Sequence, residues 1–308
     1  MKDFYSDMSF FDRFTKTADA VKHIQYFENL NLEDIDELAL EKSIDEKFKI
    51  FPYTSCFIPE GSELFRARIN IDRKPFLKVK DIETPPPDLI KKYGRANKPG
   101  EQIFYCATNY GLAAFEVLQD FKNSISPENE IAFLTIGVWK TLKPLNVLNI
   151  IESPVLHDIR DDIKKDFENQ KYILTKYHFN NEIVEANNLI SQFFANQFTK
   201  SKIESHHDYK ISALYTRRLK IMNSFISEEY TDRKFDGVNY PSIAMKYNGD
   251  NQALFIENIE KKLTLVNAIQ VVCSNFNFEK PEFLGRIIRE AESIVDGEII
   301  WKKEFYSP

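Results

Sequence analysis

Two short windows of the chain hold the residue types that could do chemistry. In "GRANKPGEQIFYCATNYGLAAFEV", residues 94 to 117, Arg95, Tyr105 and Glu116 follow one another through a loop, a strand pattern and a helix pattern. In "DGVNYPSIAMKYNGDNQALF", residues 236 to 255, Ser242 follows the stiff pair Tyr240-Pro241. A guanidinium offers a fork of donors suited to a phosphate or a carboxylate. An aromatic ring packs against a flat group, and a carboxylate favours a centre where positive charge develops. Loop arginines are ordinarily solvated and strand tyrosines ordinarily just pack. Glu116 is harder to explain that way. Its helical neighbours are Leu112, Ala113, Gln119 and Asp120, with no basic partner among them, whereas an exposed helical glutamate often has one at i+4. It lies in the apolar half of its helix, where a carboxylate is costly to bury.

The elements that must position these groups follow from pattern. "QIFYCA" reads as a strand, with Tyr105 on one face beside Ile103 and Ala107, and "YGLAAFEVLQDF" reads as the helix after it. A strand that runs directly into a helix brings its end and the helix start to one rim, a common ligand site. Upstream, residues 14 to 50 carry apolar residues at helical spacing. "GSELFRARIN" holds a strand at 63 to 69, and a helix is expected at 86 to 93, after Thr84 and the prolines at 85 to 87. "EIAFLTIGVW" is strand-like, residues 155 to 229 are helical in character, and strand signals return at "FDGVNYPSI", "QALFIE", "LTLVNAIQVVCS" and "EIIWKKEF". Strands early and late with helices between them indicate an α+β fold. The expected organisation is a helical N-terminal extension over residues 1 to 60 and a catalytic domain over 61 to 308, with a helical insertion at about 155 to 229.

Glycine is scarce, nine in 308 residues, against a typical share of about 7%. Five of the nine fall in the two windows or at their edges: Gly94, Gly100, Gly111, Gly237 and Gly249. Backbone shape is most constrained there.

Composition excludes several classes. The chain is 43% hydrophobic with a net charge of −6, so no overall positive field draws it to nucleic acid or anionic lipid. No apolar run approaches a membrane span, and "MKDFYSDMSFFDRF" lacks a basic start leading into an apolar stretch, which points to the cytoplasm. Cys56, Cys106 and Cys273 are odd in number and far apart, as reduced core residues are. His206 and His207 are adjacent rather than four apart, so no metal is expected.

One cation, one aromatic ring and one carboxylate suit a ligand with phosphates, a flat ring and a centre of developing positive charge. Nicotinamide adenine dinucleotide (NAD) meets all three conditions. The two windows in this order resemble the RES domain, a family similar in fold to the ADP-ribosyltransferase toxins, many of whose members are bacterial toxins that degrade NAD and pair with an antitoxin. The glycine-arginine, strand tyrosine and helix glutamate of the family correspond to Arg95, Tyr105 and Glu116, and its "DG..YPS" element to Asp236, Gly237, Tyr240, Pro241 and Ser242. An arginine near the domain's start is expected as well, Arg66 or Arg68 of "LFRAR". The chain departs from the pattern at Ala96, where the family prefers a bulky aromatic, and in its added helical segments, which could dock an antitoxin or form an oligomer interface.

The resemblance implies an enzyme that uses NAD as substrate and needs no further cofactor. Glu116 would stabilise the oxocarbenium-like state as nicotinamide leaves. Arg95, with Arg66, would hold the pyrophosphate, while Tyr105 packs on a ring, beside Tyr240. Ser242 would hydrogen-bond the nicotinamide amide or the ribose. Water, phosphate or a protein side chain could accept the ADP-ribose, with water expected first. A protein ADP-ribosyltransferase, or a non-enzymatic interaction module of the same fold, is the alternative.

Overall fold

The structure is a computed structural model that describes residues 14–48, 55–121, 131–151, 153–176 and 179–303. Residues 1–13 and the end of "EIIWKKEF" lie outside the described residues. The N-terminal part runs α1 (Thr17–Glu28), α2 (Glu37–Lys47), β1 (Ser55–Ile58), β2 (Glu63–Ile69) and α3 (Val79–Ile82). Then come β3 (Ile103–Ala107), α4 (Tyr110–Phe121), β4 (Ile131–Thr141) and β5 (Leu145–Asn149), followed by the helices α5 (Pro154–Ile159), α6 (Asp161–Lys176), α7 (Asn181–Phe198) and α8 (Lys210–Ser224). The chain closes with β6 (Gly237–Pro241), β7 (Asp250–Phe255), α9 (Ile256–Lys262), β8 (Leu263–Asn277), β9 (Glu282–Val295) and β10 (Glu298–Trp301). A ten-stranded sheet accompanied by helices agrees with the α+β expectation.

Two compact units emerge. The first holds the described residues of Met1–Ser55, Lys92–Lys98 and Leu148–Phe225; the second holds Cys56–Lys91, Pro99–Val147 and the described residues of Ile226–Pro308.

The first unit is helical. Two of its helices start where a short polar side chain takes an orphan backbone N–H: Asp36 accepts from Ala39 N at the head of α2, and Asn180 accepts from Ile183 N at the head of α7. Aromatic rings fill the space between them. Phe27 stacks on Phe48 at 5.2 Å, and Phe194 stacks on Tyr215 at 3.9 Å. Burying rings of this size supplies about 1.5–3 kcal/mol each.

The second unit is built on the sheet, whose strand order is β1-β5-β6-β7-β3-β2-β4-β8-β9-β10. The pairs β6–β7, β7–β3, β3–β2, β2–β4, β4–β8, β8–β9 and β9–β10 are antiparallel. Alternation along each strand gives the sheet two apolar faces. Ala67, Ala107, Leu134 and Ile136 pack with Leu112 and Leu118 of α4. Leu64, Phe104 and Trp139 pack on the other face with Ile82 of α3 and Ile259 of α9.

The helix expected at 86 to 93 shrinks to one 3-10 turn, Pro87–Leu89. Three successive prolines bring no N–H to a ladder, and the Ile90 carbonyl turns away to accept from Gly100 N at 2.8 Å. β1, β5 and β9 are strands that the sequence pattern did not reveal.

Candidate functional site

The register of three neighbouring strands sets the stage. Tyr240 lies opposite Asn251, and Asn251 opposite Ala107; one step along, Val238 lies opposite Ala253, and Ala253 opposite Tyr105. Residues in register or two apart share a face, so Tyr240, Asn251 and Tyr105 belong to the face of Ala107, on which α4 packs. Two glycines make the close approach possible. A Cβ on Gly237 would lie 2.2 Å from the Ala253 carbonyl oxygen, so β6 meets β7 there only as glycine. Gly249 has a left-handed φ of +102°, and a Cβ on it would come within 2.9 Å of Leu112 in α4. At the head of that helix Asn109 Oδ1 accepts from Leu112 N at 2.8 Å, in the manner of an N-cap.

Glu116 therefore rises from α4 toward the end of β6 and the start of β7. Ser242 Oγ donates to its Oε1 at 2.5 Å, and Asn251 Nδ2 donates to the same oxygen at 2.5 Å. Ser242 is fully buried and Asn251 nearly so, while Glu116 itself is half-buried. The serine is held from several sides. Its N–H donates to Gly249 O at 3.0 Å, its carbonyl accepts from Tyr247 N at 2.6 Å, and its Oγ accepts from Met245 N at 3.2 Å. Oε2 of Glu116 takes no hydrogen bond from any described residue, and no cation among them pairs with this carboxylate. The arrangement is a carboxylate oriented through one oxygen by two neutral donors, with its other oxygen available.

The other expected site residues have different surroundings. Arg66 and Arg68 leave β2 opposite Ala67, on the face of α3 rather than α4. Arg66 Nε donates to Glu83 O at 2.6 Å and to Ile82 O at 3.1 Å, and Nη1 donates to Tyr105 O at 2.6 Å. Burial, with Arg68 close by, pushes its pKa down to about 10. Arg66 thus meets Tyr105 through the backbone. Arg68 Nη1 donates to Asp81 O. Asp236, buried ahead of Gly237, pairs with Lys262 Nζ at 2.7 Å and accepts from Asn146 N at 2.9 Å, so it ties β5 and α9 to the start of β6. Arg95 belongs to the helical unit. Its Nη1 donates to Phe198 O at 2.8 Å and Nη2 to Lys200 O at 3.2 Å, while its guanidinium stands over the Tyr209 ring at 5.0 Å. A cation at the carbonyl end of α7 is favourably placed against the helix dipole. Ala96 beside it is fully buried.

The structure brings Glu116 and Ser242 together as a bonded pair and adds Asn251, which the sequence reading missed. Its one trace in the sequence is that it stands two residues after Gly249; its place opposite Tyr240 is a matter of register. None of the three cysteines forms a disulfide, and burial pushes the thiols of Cys106 and Cys273 up. Among the described residues no group of three metal-ligating side chains is close enough to hold an ion, and no helix is long and apolar enough to cross a membrane. The chain matches no protein-family model and no curated protein sequence.

Proposed function

We propose that this protein breaks the bond between nicotinamide and ribose in NAD, on an ADP-ribosyltransferase-like fold. The observation that carries the reading is Glu116: a carboxylate with no cationic partner among the described residues, fixed through Oε1 by Ser242 and Asn251. Glycosidic cleavage develops positive charge on the ribose ring as the bond lengthens. A preoriented carboxylate favours that state over the ground state, and a neighbouring lysine or arginine would have offset the effect. Nicotinamide departs neutral with the bonding electrons, so no general acid is required. Water attacks the anomeric carbon and releases one proton, giving ADP-ribose. The aromatic rings of Tyr105 and Tyr240, on the same sheet face, suit a flat ligand. The resemblance of the two windows to the RES domain supports the same chemistry, a cytoplasmic site of action and a growth-arresting role restrained by an antitoxin.

Purified protein incubated with labelled NAD, with and without inorganic phosphate, tests the reading. Release of nicotinamide with free ADP-ribose is expected; phosphorylated ADP-ribose or labelled protein would reassign the acceptor. No release of nicotinamide under any of these conditions overturns it.

A further inference from the structure

We infer that Asn251 is a positioning residue that selects which oxygen of Glu116 meets the substrate. The inference rests on the reading of Glu116 as the working carboxylate. A glutamate on a helix can turn either oxygen outward by rotating its last torsion, which is broad and roughly two-fold. Here both local donors converge on Oε1: Ser242 Oγ and Asn251 Nδ2, each at 2.5 Å. They come from opposite ends of the β6–β7 connection, and each is held by its own element. Ser242 is fixed by the Gly249 carbonyl and the Met245 N–H, while Asn251 is fixed by its place in β7 between Tyr240 and Ala107. With Ser242 alone the carboxylate could pivot about a single hydrogen bond. The second donor, from a different element, removes that freedom and leaves Oε2 bonded to neither. Asparagine suits this post because its amide donates without adding charge. An aspartate there would set two carboxylates against each other, which raises the pKa of the pair.

The test compares wild type with Asn251→Ala and the nearly isosteric Asn251→Asp. For Asn251→Ala, kcat for nicotinamide release is expected to fall roughly tenfold to a hundredfold, the scale of a misplaced catalytic group, with KM within about twofold. For Asn251→Asp, the acidic limb of the kcat–pH profile moves to higher pH. An unchanged kcat in Asn251→Ala, a loss confined to KM, or an unshifted profile in Asn251→Asp overturns the proposal. The carbon NMR resonance of the Glu116 carboxyl reads the contact without substrate. Losing the Asn251 donor is expected to move that resonance in Asn251→Ala, and a resonance that stays put sinks the assignment. If wild-type protein releases no nicotinamide, the reading of the reaction fails by itself, and the role of Asn251 toward Glu116 is decided by that resonance.

Discussion

Ser242 Oγ and Glu116 Oε1 lie 2.5 Å apart although 126 residues separate them in the chain. A serine hydroxyl has one proton to donate, and here it goes to the glutamate. The role expected for Ser242 from the resemblance, a hydrogen bond to the nicotinamide amide or the ribose, is open to it as a donor only if that bond breaks first.

Ser242→Ala should therefore act on turnover. Loss of one donor to the carboxylate is expected to lower kcat about tenfold, as for a charge-assisted hydrogen bond of about 1.5 kcal/mol at the low end of its range, with KM nearly unchanged. A rise in KM at constant kcat would instead return the serine to the substrate.

Glu116→Gln keeps the shape of the side chain and removes its charge. Nicotinamide release should fall about a hundredfold to a thousandfold, the scale seen when one preorganised electrostatic group is removed from an active site, with the melting temperature preserved. Near wild-type turnover at matched stability would end the assignment.

Gly237→Ala tests the join between β6 and β7. Its Cβ would sit 2.2 Å from a backbone oxygen, which no side-chain movement relieves. A loss of more than about 3 kcal/mol is expected, beyond the usual overpacking range. Gly100→Ala is the control: it has a φ of +77° but nothing within 4 Å, so only about 1 kcal/mol of backbone strain applies. Denaturant midpoints compare the two.

Arg95→Ala should loosen the helical unit. It removes two hydrogen bonds to carbonyls at the end of α7 and the contact with Tyr209, together about 1–3 kcal/mol. Hydrogen exchange should show lost protection in the last turn of α7. A higher KM for NAD with that protection unchanged would restore the phosphate-binding role expected from the sequence.

Acid should destabilise the helical unit in two steps. Burial lowers the pKa of His23 and His206 from the ordinary value of 6.5, and His206 Nδ1, as an acceptor for Tyr93 N at 3.3 Å, needs a neutral ring. The unfolded rings bind protons first, so stability is complete above pH 6.5 and declines as the pH falls through the lowered folded values. Burial opposes the charge of Glu37, but Lys98, Tyr93 and Arg217 prevail and hold its carboxyl below 4.5. Its contribution is present above that value and is lost as the pH falls through the folded one. Melting temperatures at pH 7.5, 5.5 and 4 should decrease in that order; a flat series would contradict both steps.

The parts of this structure legible in the sequence are those where local pattern and tertiary role agree. α4 covers the whole of "YGLAAFEVLQDF", because its apolar stripe is also its packing face, and β2 spans 63 to 69 as expected. β9 was not legible. "EFLGRIIREAESIV" holds three Glu and two Arg, which favour helix, and its residues are mostly exposed or half-buried. Pairing with β8 overrides that preference. At the site, Glu116 stood out because a missing partner is visible in a sequence. Asn251 did not, since its meaning depends on register, and register depends on where β7 lies between β6 and β3. The surroundings of Arg95 and Arg66 were hidden for a similar reason: backbone carbonyls leave no trace in residue types.

The long sequence separation of the Glu116 contacts also sets when the site can exist. Asn251 lies 135 residues beyond Glu116, so at about 5–20 residues per second the ribosome needs roughly 7 to 27 s to deliver it after the glutamate. Until Ser242, 126 residues on, has been made the carboxylate has neither donor, and until Asn251 follows β3 lacks β7 as a neighbour. A nascent chain that stops short of Asn251 carries the glutamate without the means to aim it.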